Sequence, residues 1–436
     1  MTEFLISIFY FILFCLLISK LRFFRDSSIP NYWFIIIFGI KIIFSIILTA
    51  IYTNYYSDRA TADIFKYFDD SKIMFDALKT HPGDYVKMLL GINNDSDYFN
   101  SNYYNHMIHW YRVYGSNLFS DSHMIIRFNA LVRLFSFGYF QVHNVFINFI
   151  SLIGLTAVFK AFKPIINTNE KALLYMVFLI PSVLFWGSGL LKEGIVFFAL
   201  GLLIYHCFKI LHTFSIQSCL IIIFSLVLIF YTKLYIIAAF TPAFMGYIIY
   251  KKVFKKKILL SYFLSISIIA VISFILNFNS SKWDPFKLLI DKQADFITLI
   301  NRTDVKVNSD IYIPVLKNIP DIFVNIPNAW LNTFIRPFLW ECSSPFAIVN
   351  SIENLIIIGM IIISIIYRKQ KIMNIYLLFC LTFAMSLFTI IGLTTPVFGA
   401  IARYKVPGLP FLLITLLFII DLDKIKHKYP LLNKIL

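Results

Sequence analysis

Long runs of apolar residues constrain the fold of this chain more than any other feature. A helix needs roughly 17–25 apolar residues to cross about 30 Å of hydrocarbon. In lipid, its backbone groups must be satisfied internally. Only 14% of the 436 residues are charged, whereas a soluble protein carries about 25%. The pattern predicts an all-α, polytopic membrane helical bundle with about 11 transmembrane helices, at 3–19, 33–53, 143–162, 172–191, 194–211, 215–231, 234–250, 258–277, 351–367, 373–394 and 407–421.

The polar sequence is concentrated in three segments of what we expect to be a single integral membrane domain, 1–436. Two segments are long, at about 54–142 and 278–350, and the third, 395–406, is short. Loops of such length are usually functional or disordered. Because the long ones are rich in Tyr, Phe and Trp, we expect packed, partly helical structure in both.

Lysine and arginine predict the orientation of the chain. When the chain is threaded through the predicted spans, the short basic segments 20–25, 251–257 and 368–371 fall on one side. The positive-inside bias assigns that side to the cytoplasm, which puts the N-terminus outside, the C-terminus inside and the polar segments on the non-cytoplasmic face. We expect a bacterial plasma membrane. Topology accounts for the formal net charge of +16, so no nucleic-acid partner is invoked.

Two further features lead to expectations about position in the membrane. Residues 125–140 have the pattern of an amphipathic helix at the interface, with Arg127 and Arg133 expected to bind headgroups. Lys41 lies inside the second predicted span. We expect it near the inner end of that span, with its ammonium extended toward the interface.

Lys192 and Glu193 stand together inside the apolar stretch 184–200. The predicted spans put the pair in a tight turn between two helices, near the outer boundary. A plain turn is one interpretation. Ionisable groups at membrane depth are also functional candidates, so Glu193 is a candidate catalytic residue and Lys192 a candidate phosphate-binding residue.

The stretch 61–78 carries several carboxylates just beyond the second span. In a helix, Asp63, Lys66 and Asp70 share one face. Asp63 and Asp70 are candidate general bases. Asp69 and Asp70 are candidate oxygen ligands for a divalent metal, which is the one cofactor considered. A solvated amphipathic helix is the alternative.

Three cations in the later polar segments are candidate phosphate-binding residues: Arg336, Arg403 and Lys405. The planar guanidinium of arginine forms paired hydrogen bonds with a phosphate. Anchoring of these cations among lipid headgroups is the alternative. All the candidate residues share the predicted outer boundary, so we expect them to meet in a single site.

The chain resembles GT-C-class multi-pass membrane glycosyltransferases and O-antigen polymerase-like proteins. The resemblance rests on the stretch ARYKVPGLP at 402–410, on outer-loop arginines and on acidic residues in the first large outer loop: Arg336, Arg403, Asp63, Asp69 and Asp70. It implies polyprenyl-phosphate-linked sugars as substrates, used outside the membrane in cell-envelope polysaccharide synthesis. Here the acidic motif follows the second span rather than the first, and Lys192-Glu193 stands where an acidic pair is usual.

Three functions stay open from the sequence. The first is a membrane glycosyltransferase or polysaccharide polymerase, with membrane lipid, a lipid-linked sugar and polysaccharide assembly proteins as expected partners. The second is a transporter or flippase for lipid-linked glycans. The third is a non-catalytic scaffold of envelope assembly, for which single carboxylate substitutions would have little effect.

Overall fold

A computed structural model describes residues 1–25, 29–55, 59–111, 120–166, 169–301, 309–370 and 373–429. Across these ranges the chain is helical and contains no β-strand, so the all-α prediction is confirmed. The α-helices are α1 Thr2–Lys20, α2 Arg22–Arg25, α3 Tyr32–Tyr55, α4 Asp63–Thr80, α5 Pro82–Leu90, α6 Asp97–Asn102, α7 His123–Ser136, α8 Phe140–Phe162, α9 Glu170–Phe178, α10 Pro181–Trp186, α11 Lys192–Ile210, α12 Ile216–Lys252, α13 Ile258–Phe278, α14 Pro285–Ile300, α15 Ile319–Val324, α16 Ile326–Trp330, α17 Pro345–Ile366, α18 Ile375–Thr394, α19 Phe398–Tyr404, α20 Leu409–Ile419 and α21 Leu422–Lys428.

Nine helical segments in the described ranges are long and apolar enough to cross a membrane, which is consistent with a multi-pass membrane protein. The expected number of about 11 transmembrane helices is not confirmed. One reason is that residues 172–191 do not form a single long helix. That run forms α9 and α10, followed by non-helical backbone from Gly187 to Leu191. Pro181 disfavours helical geometry in the residue before it, and Gly187 and Gly189 have weak helix propensity.

A second reason for the lower number of candidate spans is helix α12. The predicted spans 215–231 and 234–250 both fall in this one helix. Its 37 residues would span about 55 Å at 1.5 Å per residue, more than a single crossing needs. The backbone leaves helical geometry at Lys233, with φ −151° and ψ 81°. The break at Lys233 therefore coincides with the gap between the two predicted spans, residues 232–233.

The short polar segment 395–406 is largely helical. Helix α19 lies within it, and a 3₁₀ turn, Val406–Gly408, joins α19 to α20. Together they form a candidate span, Phe398–Ile419, that begins nine residues before the predicted 407–421. Arg403 and Lys405 therefore lie inside a candidate span rather than in a loop preceding it.

The chain forms two compact units. Unit 1 comprises Met1–Asn167 and Val183–Leu234, and unit 2 comprises Thr168–Ser182 and Tyr235–Leu436. The single integral membrane domain predicted from the sequence stays a prediction.

In unit 1, helices α8 and α11 pack with their backbones in close contact. A Cβ atom built on Gly154 would lie 2.0 Å from the carbonyl oxygen of Phe197, and one on Gly201 would lie 1.9 Å from that of Gly154. Small residues allow apolar helices to approach in this way where the hydrophobic effect between them is weak. The two glycines therefore set the distance between α8 and α11.

Helix α7 packs against α4 in unit 1 and corrects the expectation for its arginines. Arg133 is buried, and its Nε and NH2 groups donate to Ser71 Oγ at 2.8 Å and to the Phe68 carbonyl at 2.6 Å. Arg127 donates to the Met88 carbonyl at 2.9 Å. Both guanidinium groups therefore fix neighbouring backbone or hydroxyl groups instead of extending toward lipid headgroups. Burial lowers the pKa of Arg133 to about 10.

Lys41 on α3 also departs from expectation, because it is fully buried in unit 1. Its ammonium donates to the Gly187 carbonyl at 2.8 Å and to Ser188 Oγ at 3.2 Å. The side chain therefore ends on the non-helical segment before α11 rather than at the interface.

In unit 2, Gln293 of α14 fixes two other segments. Its amide nitrogen donates to the carbonyls of Pro314 and Leu393 at 3.0 and 2.7 Å, and its oxygen accepts from the Leu316 amide at 2.7 Å. The polar segment before α15 is thereby attached to the end of α18.

We expect Gly201→Ala to lower the free energy of unfolding by about 3 kcal/mol, the upper part of the usual range for overpacking, because its methyl group meets backbone. Gly39→Ala on α3 is the matched control, since nothing lies within 4 Å of a Cβ there. Thermal unfolding of the detergent-purified protein, followed by size-exclusion chromatography, measures both. Equal losses for the two variants would contradict the close packing of α8 on α11.

Candidate functional site

Helix α4 brings a carboxylate, an ammonium and an imidazole together in unit 1. Lys66 Nζ lies 3.2 Å from Asp63 Oδ1 and 2.6 Å from His109 Nε2. Asp63 is at the first helical position, where a carboxylate is favoured by the helix dipole. The Asp63 side chain is 31% exposed, whereas that of Lys66 is 11% exposed. Asp63 is therefore a carboxylate that a ligand can reach.

Burial and the contact with Lys66 keep the His109 ring neutral. An ammonium group can only donate, so Nε2 must be the acceptor of a neutral ring. Burial and then the Lys66 charge lower the pKa of His109 to about 4, although Asp63 opposes the shift. The proton of the neutral ring then sits on Nδ1. That atom is buried and has no hydrogen-bond partner among the residues that the structure describes.

Asp70 positions the segment that carries His109. Its two carboxylate oxygens accept the backbone N–H groups of Ile108 and His109 at 2.9 and 2.8 Å. The side chain is almost completely buried. Burial raises the pKa of Asp70 despite these two hydrogen bonds. Both Asp70 oxygens are therefore used to hold the backbone at His109. Asp63, in contrast, is accessible to a ligand.

Lys192 meets the same helix. Its ammonium lies 2.7 Å from Asp121 Oδ1, 3.4 Å from Ser122 Oγ and 5.2 Å from the centre of the Tyr67 ring. Tyr67 in turn packs edge-on against the His109 ring, with centroids 6.2 Å apart. The stretches 61–78 and 184–200, selected independently in the sequence, therefore meet at Tyr67. We call the group Asp63, Lys66, Tyr67, His109, Asp121 and Lys192 the Lys66 cluster.

Glu193 has a different environment from its neighbour Lys192. Its carboxylate forms a 2.7 Å ion pair with Lys233, and both side chains are buried. Lys233 is the residue at which α12 leaves helical geometry. Glu193 therefore links the start of α11 to the break in α12.

Asp69, a candidate metal ligand, forms a paired ion bridge with Arg59 at 2.8 and 2.9 Å. The oxygens of Asp70 are occupied by backbone donors. Within the described ranges no group of three His, Cys, Asp or Glu side chains could hold a metal ion. The proposed ligand pair is thus engaged with other partners in this arrangement.

The other candidate cations lie in unit 2. Arg336 bonds Glu341 through Nε and NH2, with NH2 2.6 Å from Oε1, and donates to Asn332 Oδ1 at 3.1 Å. The Arg336 hydrogen bonds lower the pKa of Glu341. The guanidinium also lies 5.2 Å from the centre of the Phe398 ring.

Asn354 joins Arg336 to Lys405 within unit 2. It accepts from Lys405 Nζ at 2.5 Å and donates to the Arg336 carbonyl at 2.9 Å. Lys405 is buried, whereas Arg403 on α19 is partly exposed. The structure thus brings Asp63, Asp70 and Lys192 together in unit 1, and Arg336 and Lys405 together in unit 2.

Sequence reasoning missed several members of these groups: His109, Asp121, Lys233 and Asn354. His109 and Asp121 lie in the first long polar segment, where no periodic pattern distinguishes them from their neighbours. Lys233 stands between the predicted spans 215–231 and 234–250, where the sequence does not indicate its partner. Asn354 lies inside a predicted span, and a buried amide there was a signal that could have been used.

The lowered pKa of His109 predicts a pH dependence of stability. The ring titrates at about 6.5 in an unfolded chain and at about 4 in the folded protein. As the pH falls between these values, the unfolded chain binds a proton that the folded chain does not, so the folded state loses stability. His109→Gln keeps an acceptor for Lys66 without this titration and should lose less stability between pH 7 and 4.

Thermal unfolding midpoints at pH 7 and 4 test this expectation, with His81→Gln as the control at an exposed histidine. Identical pH dependence in wild type and His109→Gln would show that the folded protein does not suppress protonation of His109.

The buried pair Glu193–Lys233 makes a second prediction. Glu193→Gln or Lys233→Met alone should lower the free energy of unfolding by about 3–5 kcal/mol, because each leaves an uncompensated buried charge. The double variant should recover most of this loss. The exposed pair Asp76–Lys79, at 3.9 Å, is the control, and its variants should change stability by less than about 1 kcal/mol. Additive losses at Glu193 and Lys233 in denaturation experiments would contradict a coupled pair.

The Lys66 cluster combines an accessible carboxylate, two ammonium groups and a neutral imidazole. Such a set can accept a proton from a hydroxyl group and bind an anionic oxygen. No family model, curated protein or solved structure matches this chain.

Proposed function

We propose that this chain is a membrane-embedded glycosyltransferase or polysaccharide polymerase that uses polyprenyl-phosphate-linked sugars. It would act on the non-cytoplasmic face of a bacterial plasma membrane, in the synthesis of a cell-envelope polysaccharide. Its partners would be membrane lipid and the lipid-linked sugar. The Lys66 cluster is the observation that carries this proposal.

The chemistry of the cluster fits the transfer of a sugar from a phosphate. Asp63 is proposed as the general base that takes the proton of an acceptor hydroxyl. The hydroxyl oxygen forms a bond with the anomeric carbon of the donor sugar, and the bond from that carbon to the phosphate oxygen breaks. The phosphate leaves with the electron pair, and Lys66 and Lys192 stabilise its negative charge. In this scheme Asp70 is a positioning residue, because its oxygens hold the His109 backbone.

For unit 2 the proposal assigns phosphate binding to Arg336, Arg403 and Lys405. The Nε and NH2 groups of Arg336 now donate to Glu341 as a pair. A phosphate would have to replace Glu341 there, and the same paired geometry would then bond two of its oxygens.

A transporter or flippase for lipid-linked glycans is the second candidate, and a specific observation favours it. Lys41, Glu193 and Lys233 are buried in candidate spans, and the run 172–191 contains a broken helix. Secondary transporters often bind substrates and ions at discontinuous helices with buried charges. This candidate predicts that Glu193 and Lys233, rather than Asp63, are required.

Replacement of Asp63 tests the proposed enzyme. We expect Asp63→Asn to reduce polysaccharide output at least a hundredfold, since general bases contribute about 10²–10⁴ in rate. Asp76→Asn is the matched control, because Asp76 lies on the same helix and pairs with Lys79 at an exposed position. Gel profiles of extracted surface polysaccharide are compared at equal protein levels, together with the pool of lipid-linked sugar.

The outcomes separate the candidates. Loss of the polysaccharide with accumulation of lipid-linked donor supports a transferase, and collapse of the ladder to one repeat unit supports a polymerase. Normal output from Asp63→Asn would exclude Asp63 as the base. In that case, loss of output in Glu193→Gln, with lipid-linked glycan retained in the cytoplasmic leaflet, would indicate a transporter. Normal output in Glu193→Gln as well would indicate a scaffold.

A further inference from the structure

One stretch of unit 1 differs in composition from the rest of the chain. Residues 88–111 contain no Lys or Arg, although the whole chain has 39. The stretch is instead rich in amides and phenols: Asn93, Asn94, Asn100, Asn102, Asn105, Tyr98, Tyr103, Tyr104 and Tyr111. Tyrosine offers a rigid amphipathic contact area at low entropic cost, and asparagine offers adaptable hydrogen bonding. The composition of this stretch is that of a binding surface rich in tyrosine and asparagine.

The rings of this stretch form a continuous row. Tyr98 contacts Tyr103 with centroids 6.4 Å apart, Tyr103 contacts Phe99 at 6.0 Å, and Phe99 contacts Tyr104 at 6.2 Å. Tyr104 contacts Tyr111 at 6.5 Å. We call these five residues the Tyr98–Tyr111 ridge. Its three middle rings are buried, whereas Tyr98 and Tyr111 at its ends are 46% and 51% exposed.

Hydrogen bonds fix the exposed rings. The Tyr98 hydroxyl donates to Asp84 Oδ2 at 2.8 Å, and the Tyr103 hydroxyl donates to the same oxygen at 3.0 Å. The Tyr111 hydroxyl donates to Asn100 Oδ1. The ring faces of Tyr98 and Tyr111 are therefore held in place before a ligand arrives, which reduces the entropy lost on binding.

Exposed amides accompany the rings. Asn102 and Asn105 are exposed, and an amide side chain has both donors and acceptors. A sugar ring has the complementary surface, with an apolar face of C–H groups and a rim of hydroxyls. A lipid headgroup or an acidic glycan would instead favour a surplus of lysine and arginine. Here one exposed lysine, Lys87, lies 6.0 Å from the centre of the Phe99 ring, and it is outnumbered by Asp84, Asp95 and Asp97.

We propose that the Tyr98–Tyr111 ridge binds an uncharged stretch of glycan, with sugar rings against Tyr98 and Tyr111 and hydroxyls bonded to the neighbouring amides. The ridge is linked to the Lys66 cluster by the chain itself. Tyr104 stacks on Trp110 with centroids 4.1 Å apart, and Trp110 directly follows His109. Under the proposed function, on which this identification rests, the ligand is the acceptor or growing polysaccharide.

Saturation-transfer NMR tests the proposal with the full chain in nanodiscs. Aromatic protons of the protein are saturated, and the signal is read on sugar C–H protons of surface polysaccharide purified from the cells that make the protein. We expect the wild type to transfer saturation to the polysaccharide. The transferred signal should fall at least fivefold in Tyr98→Ala/Tyr111→Ala, and Tyr98→Phe/Tyr111→Phe should retain at least half of it. Tyr312→Ala, at an exposed tyrosine of unit 2, is the control and should match wild type.

Absence of transfer from the wild type to the polysaccharide, or undiminished transfer from the double alanine variant, would overturn the proposal. Equal losses in Tyr312→Ala would also overturn it, because the signal would then not depend on the ridge. If the double alanine variant is not monodisperse, Asn102→Ala/Asn105→Ala replaces it, with a loss of at least threefold expected. The saturation-transfer signal reports binding at the ridge, whereas the polysaccharide output of Asp63→Asn reports catalysis, so failure of the ridge and failure of the proposed catalysis are measured separately.

Discussion

Backbone groups freed by a break in an apolar helix must find partners within the protein, and much of unit 1 depends on how this is done between Gly187 and Leu191. The Gly187 carbonyl accepts from Lys41 Nζ at 2.8 Å and from Ser151 Oγ at 3.0 Å. Asn148 donates to the Ser188 carbonyl at 2.8 Å. Without water, unsatisfied carbonyls would each cost several kcal/mol. Because α11 starts at once with Lys192, these three side chains also determine where Lys192 and Glu193 lie.

In unit 2, a carboxylate is the hydrogen-bond partner of a backbone group at a helix start. Glu353 accepts from the Ser182 amide and hydroxyl, each at 2.7 Å, at the point where the helix after Pro181 begins. A negative charge is favoured there by the exposed amides of a helix start. The next residue, Asn354, binds Lys405 and the Arg336 carbonyl. Polar residues inside apolar helices therefore include structural ones, and position in a span does not by itself identify a catalytic group.

The sequence was sufficient for properties that follow from periodicity and length. It predicted the all-α class. The gap between its predicted spans 215–231 and 234–250 also contains Lys233, where α12 leaves helical geometry. It could not predict which residues meet across distant segments, as Lys66 and His109 do at 2.6 Å, since contact depends on tertiary packing. It failed for Lys41 and Arg133 because an isolated cation near a span suggests lipid or water as its partner. In both cases the actual partners are a backbone carbonyl and a serine hydroxyl supplied by segments far away in the sequence.

The two ion pairs of the Lys66 cluster share an asymmetry that bears on the proposed chemistry. In each, the lysine side chain is much less exposed than its carboxylate partner: 11% for Lys66 against 31% for Asp63, and 6% for Lys192 against 32% for Asp121. An incoming phosphate would compete with these carboxylates for fixed cations. The Asp side chain is short and more exposed, so it is the partner that can be displaced toward solvent. Under the proposed function, donor binding would thus release Asp63 from Lys66, and the base would become available only when the leaving group is in place.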